Sequence, residues 1–157
     1  MEGILQAVVF ERAGQAEDVL QVRDVLPPAP AAGQVLIEVA ARPIHPADFM
    51  FIAGRYRVAP VYPQTAGFDG VGRIVACAPD VNHPLPGTRV AFRHPDAWAK
   101  LAVAPVNHVY PVPDGIPDEV ACQFPLNPLT AWGTLAECQP PPPGGRVLAT
   151  AGRPVLV

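Results

Sequence analysis

Three cysteines in 157 residues, all widely separated, leave little room for cysteine chemistry. Cys77, Cys122 and Cys138 form neither an even-numbered disulfide framework nor a C-x-x-C metal knuckle, so they read as buried free thiols. Charge is also scarce, with 16% charged residues and a net charge of −3. The basic stripe of a nucleic-acid binder is missing, and so is the cationic face of an interfacial membrane helix. No apolar run reaches the roughly 18 residues that cross a bilayer. The opening "MEGILQAVVFERAG" carries an acid and no basic segment, unlike a signal peptide. These absences argue against nucleic-acid and membrane partners and make the cytoplasm the expected compartment. The four histidines, His45, His83, His94 and His108, lack partners at a ligand spacing such as H-x-x-x-H, so no metal is expected. His83 and His94 stand beside prolines and read as surface residues.

Proline is abundant instead, with 22 residues, while half the chain is hydrophobic. Proline fixes φ and removes a ladder donor, so the chain cannot be mostly long helix. Its prolines fall between short apolar runs and mark strand boundaries. Strands are expected at "ILQAVVFE", "EDVLQVRDV", "QVLIEVAAR" (34–42, with Val35, Ile37 and Val39 on one face), "VGRIVACA", "TRVAF", "AWAKLAVAP" and "NHVYPVP". A short helix is expected over "HPADFMFIAG", with Pro46 near its start and Gly54 at its end. "PDEVACQ" and "NPLTAWGTLAEC" (127–138) read as two more helices, the second capped by Asn127 with Pro128 at its first position. "QPPPPGG" then breaks the chain before a lone strand, "RVLATAG".

The stretch "TAGFDGVGRIVA" (65–76) raises the question of a phosphate loop. Its spacing, Gly67-x-x-Gly70-x-Gly72, reverses the dinucleotide fingerprint, and a strand follows it rather than a helix. The glycines therefore read as a bulge or a close approach of two chain segments. "TAG" (150–152), after a strand, is a better place for a phosphate loop, but it lacks the further glycines and the helix. Tyr56, between Arg55 and Arg57, has two readings. Nearby cations favour a phenolate and ease proton donation; equally, the residue is an amphipathic loop tyrosine with a wet hydroxyl. Asp48 suits a helix N-terminus first and catalysis second.

Taken in order, "GQVLIEVAARPIHPADFMFIAGRY", "TAGFDGVGRIVA", "PGTRVAF", "AWAKLAVAP", "PVPDGIPDEVACQFPLNPLTAW" and "GGRVLATAG" resemble the medium-chain dehydrogenase/reductase superfamily. Within it they resemble the zinc-independent quinone oxidoreductases and trans-2-enoyl-thioester reductases. The resemblance implies a mainly β fold: a GroES-like, partly open β-barrel with a few short helices over residues 1–126. Residues 127–157 would then hold a helix, a proline-rich linker and the first strand of an incomplete Rossmann domain. Phe68 stands where the zinc enzymes carry a ligand histidine, which implies a metal-free site. The "G-x-Y" block maps the proton donor onto Tyr56. The "NP-x-TA" block maps nicotinamide contacts onto Asn127 and Thr130. His45 and Asp48, of the "H-P-A-D" block, are placed at the cofactor as well, although many relatives carry Asn at the position of His45.

The implied cofactor is NADPH, and the implied substrate is a small enoyl thioester or a quinone. With most of the nucleotide-binding half missing, weak or absent NADPH binding is expected of this chain alone. Two readings follow: the catalytic domain of a reductase, inactive by itself, or a non-enzymatic module acting through a protein partner. An exposed apolar side on the 127–138 helix (Leu129, Trp132, Leu135) would promote aggregation or a homodimer.

Overall fold

The computed structural model describes residues 3–137 and 144–146. Cys138, most of the proline-rich linker and the expected strand and glycine turn after Arg146 lie outside them. Among the described residues, eight strands form two open antiparallel sheets rather than a closed barrel, joined by short helical pieces. The smaller sheet has the order β2-β1-β4, from Gln21–Val25, Leu5–Phe10 and Gln64–Thr65. The larger has the order β7-β3-β5-β6-β8, from Leu101–Pro105, Gln34–Ala41, Asp69–Cys77, Arg89–Arg93 and Val109–Pro111. The sheets meet where Ala7 bridges Ala99 and the Val8 N–H donates to the Trp98 carbonyl at 2.9 Å.

The alternating run Val35, Ile37, Val39 points into the core as its period requires. Leu36 is buried too, whereas Glu38 and Ala40, on its side of the strand, are exposed. One core gathers Phe10, Phe51, Phe68, Ile74, Phe92 and Trp98 from both sheets and from the helix α2 (Pro46–Ile52). Phe10 and Phe51 meet edge to face at 5.7 Å, a favoured aromatic geometry.

Two local expectations are corrected. "EDVLQVRDV" is not one strand: Ala16–Val19 forms a helical turn, α1, and β2 begins at Gln21. Glu17 and Asp18 favour that turn's N-terminal dipole, and the turn buries Val19. Asn127 is not a cap but the first residue of α4 (Asn127–Glu137). Its N–H already donates to the Gln123 carbonyl at 3.0 Å, continuing turns that run on from α3 (Asp118–Ala121). α3 is tied down by Arg89, whose Nη2 donates to Asp118 Oδ1 at 2.6 Å. α4 leaves Leu129, Trp132 and Leu135 exposed, as its apolar row suggested. No helix among the described residues is long and apolar enough to cross a membrane.

The glycine block is settled by space. A Cβ on Gly72 would lie 2.0 Å from the Glu38 carbonyl oxygen, and one on Gly67 would lie 2.0 Å from Trp98 Cδ1. Gly72 sits opposite Val39, beside a register shift between Val39 and Ala41. These glycines bring chain segments together; they do not open a nest for phosphate.

Candidate functional site

Three elements deliver the site. At the end of α2, Gly54 adopts φ +67°, and the Arg55 N–H donates to the Met50 carbonyl at 2.8 Å. That reversal, natural to glycine, brings the half-buried Tyr56 onto Phe68 with ring centroids 5.3 Å apart. Phe68 also packs on Phe51 at 4.7 Å, and the Arg93 guanidinium lies 5.5 Å from its ring centre. The position expected to lack a metal ligand is thus the hub of an aromatic stack. Among the described residues, no group of three or more metal-ligating side chains converges.

Beneath this stack is a buried charged cluster that sequence reading missed. Asp69 and Arg93 are direct cross-strand partners on β5 and β6. Asp69 is 1% exposed and accepts a short hydrogen bond from Arg93 Nη1 through Oδ2. The other guanidinium nitrogen, Nη2, reaches the Tyr56 hydroxyl at 3.4 Å. On the far side, His45 Nε2 lies 3.7 Å from Asp69 Oδ2. His45 and Asp48 lock the start of α2: the His45 N–H donates to Asp48 Oδ2 at 2.7 Å, and the Asp48 N–H donates to the His45 carbonyl at 2.9 Å. His45 Nε2, Asp48 Oδ1 and Asp69 Oδ1 are buried without partners.

Burial sets the electrostatics. It pushes the Asp48 carboxyl up to about 6, against the hydrogen bond from the His45 backbone and with the help of nearby Asp69. It raises Asp69 as well, outweighing the Arg93 pair, and lowers His45 despite the neighbouring carboxylate. Burial works against the charge on Arg93 too, but there Asp69 prevails and the guanidinium is raised. The folded protein therefore holds the Asp48 proton more tightly than the unfolded chain does. Its contribution to stability is fully present below about 4 and is lost as pH rises to about 6, on the order of 3 kcal/mol. Asp69 adds to that fall, and His45 opposes it. The difference between wild type and Asp48→Asn in urea unfolding across pH 4 to 7 isolates Asp48. Carboxyl carbon NMR is expected to show its midpoint near 6.

A cavity of about 470 Å³ opens in front of the cluster, with Tyr56, Phe68, Arg93, His94, His108 and Tyr110 on its walls. His94, expected at the surface, is half-buried and faces His108 with ring centres 6.2 Å apart. The expected site residues thus divide. Tyr56, His45 and Asp48 are brought together, the last two as buried supports behind Asp69. Asn127 and Thr130 are exposed on α4 and do not line this cavity; the Asn127 side chain donates to Gln123 Oε1 at 2.9 Å. One signal could have revealed the ion pair. β5 and β6 are consecutive antiparallel strands, and pairing Arg73 with Arg89 sets Asp69 opposite Arg93.

Residues 31–114 match the alcohol dehydrogenase GroES-like domain, a span that includes every member of the cluster and stops before Asn127. The chain is 30% identical over 150 residues to the mitochondrial enoyl-acyl-carrier-protein reductase of Xenopus tropicalis, covering 93% of this chain and 42% of that protein. The quinone oxidoreductase of Pseudomonas syringae superimposes with a TM-score of 0.79 at 26% identity, over 85% of this chain and 41% of that one. A mycobacterial protein solved in complex with NADPH gives a TM-score of 0.78 at 28% identity, over 85% and 41%. The chain spans about two fifths of the length of these relatives.

Proposed function

The chain belongs to the alcohol dehydrogenase GroES-like family, within the medium-chain dehydrogenase/reductase superfamily. From that premise we propose that it is the substrate-side half of a zinc-independent, NADPH-dependent reductase of a conjugated enoyl thioester or a quinone. The observation that carries the reading is Tyr56: a hydroxyl at the cavity wall, its ring held on Phe68 and its oxygen touched by a guanidinium anchored at Asp69.

The flat walls of Tyr56, Phe68 and Tyr110 fit a planar reacting group. The cofactor's diphosphate is another matter. The space around Gly72 is filled by the Glu38 carbonyl, so the glycine block offers no cradle. The glycine block therefore does not fit the phosphates of NADPH. Asn127 and Thr130, exposed at the start of α4, remain the proposed nicotinamide contacts. Bound, NADPH supplies a hydride. The chain's own part is to exclude water with the aromatic stack and to present the Tyr56 proton to the α-carbon or oxygen of the reduced substrate. Arg93 holds that hydroxyl in place. A second reading, a module acting through a protein partner, draws on the exposed row Leu129, Trp132 and Leu135.

NADPH oxidation with a crotonyl thioester and with a small quinone tests the proposal. The assay compares the chain alone with a fusion carrying a relative's nucleotide-binding half. Turnover by the fusion is expected, and its absence with both substrates would sink the reading. In the fusion, Tyr56→Phe is expected to lower the thioester rate about a hundredfold. Full activity would remove Tyr56 from the donor role.

A further inference from the structure

We propose that the cavity beside Tyr56 selects a conjugated substrate carrying an anionic group, a carboxylate or phosphate, seated on Arg57, His94 and His108. This rests on the reading of that cavity as the substrate site. The chain is net negative and holds only 11 lysines and arginines and 4 histidines. Yet two of those arginines and two of those histidines line this one cavity, and no aspartate or glutamate does.

The four do not carry equal weight. Arg93 is compensated, because its Nη1 is bound to the buried Asp69. Arg57 has no such partner among the ion pairs of the described residues, and its guanidinium lies 5.9 Å from the Tyr56 ring centre. His94 Nδ1 lies 3.1 Å from the Pro95 carbonyl oxygen, which can only accept, so Nδ1 carries a hydrogen. Its Nε2 is then the nitrogen left for a ligand, as a donor when the ring is charged. With His108 tilted against it at 6.2 Å, the second imidazole stands beside the first. Asp96 lies near His94, so the fixed positive charge at this edge is that of Arg57, with the two imidazoles beside it. Aromatic walls would bind the flat part of a ligand, and this edge would bind its anion.

The test uses a matched pair and needs no turnover, so its failure is distinct from failure of the reductase reading. Cinnamate and cinnamamide share shape and conjugation and differ in charge. Calorimetric titration of the full chain at low salt is expected to show cinnamate bound at least about tenfold more tightly, and about 0.5 M salt should shrink that preference. Arg57→Gln with His108→Gln, both at exposed positions, should fold normally by circular dichroism and abolish the preference. The proposal is overturned by any of four results. These are equal or tighter binding of the amide, no saturable binding of cinnamate, a preference that survives the double variant, or displacement of cinnamate by NADPH, which would give the cationic edge to the cofactor.

Discussion

Gly72→Ala is expected to destabilise the protein by at least about 4 kcal/mol, most of the stability of a domain at the low end of the usual range. The added methyl would sit 2.0 Å from the Glu38 carbonyl oxygen and 2.8 Å from its carbonyl carbon. Both atoms belong to the backbone of β3, a central strand paired on one side with β5 and on the other with β7. No rotamer change can relieve such a contact. The strands must separate by more than an ångström at the Val39–Gly72 pair, which breaks ladder hydrogen bonds in the middle of the larger sheet. Gly70→Ala is the internal comparison. Its methyl would meet the ring of Phe92 at 2.7 Å, a side chain that can give way, although it is fully buried. That variant should lose about 1–3 kcal/mol, the usual range for overpacking a core. Urea unfolding of the two variants decides the matter. Equal losses would mean that the β3–β5 approach is softer than the distances imply.

Those glycines show how far the sequence could be read. Their spacing and the following strand formers exclude a phosphate loop, and a close backbone approach is what the fold contains. The strand over 34–42 and the helix after His45 were legible for the same reason. Period, proline position and a terminal glycine are local signals with a local cause. The helical turn at Ala16–Val19 was hidden because four residues of mixed polarity suit either period. The site was less legible than the fold. Tyr56 stood out by its flanking arginines, yet both are exposed, and the guanidinium that touches its hydroxyl is Arg93, 37 residues away. Asp48 was read as a helix-start residue, and it is one. That it is also 1% exposed beside Asp69 is a property of packing, which no local pattern records.

Removing Arg93 should expose how much that packing depends on one cation. Arg93→Met is expected to cost about 3–5 kcal/mol, because it strands the carboxylate of Asp69, which is only 1% exposed, without its cation. The loss should depend on pH in a determined direction. Burial already raises the Asp69 carboxyl even with its partner present, and without the partner it rises further. A group raised on folding is least harmful while protonated. The variant should therefore lie closest to wild type near pH 4 and fall away from it as pH rises towards neutrality. Changing both partners, Asp69→Leu with Arg93→Met, should recover most of the lost stability, since apolar groups of similar volume replace a buried pair with little cost. Recovery below about 1 kcal/mol would argue that the pair itself, rather than the orphaned charge, stabilises the fold. Arg93→Lys separates support of the fold from support of the chemistry. An ammonium can neutralise Asp69, so stability should return. It cannot place one nitrogen on Asp69 and a second on the Tyr56 hydroxyl, as Nη1 and Nη2 of the planar guanidinium do. In the fused reductase that variant should stay folded and still show a reduced kcat on the thioester. A lysine variant with full stability and full rate would show that Tyr56 is positioned by its ring on Phe68 alone.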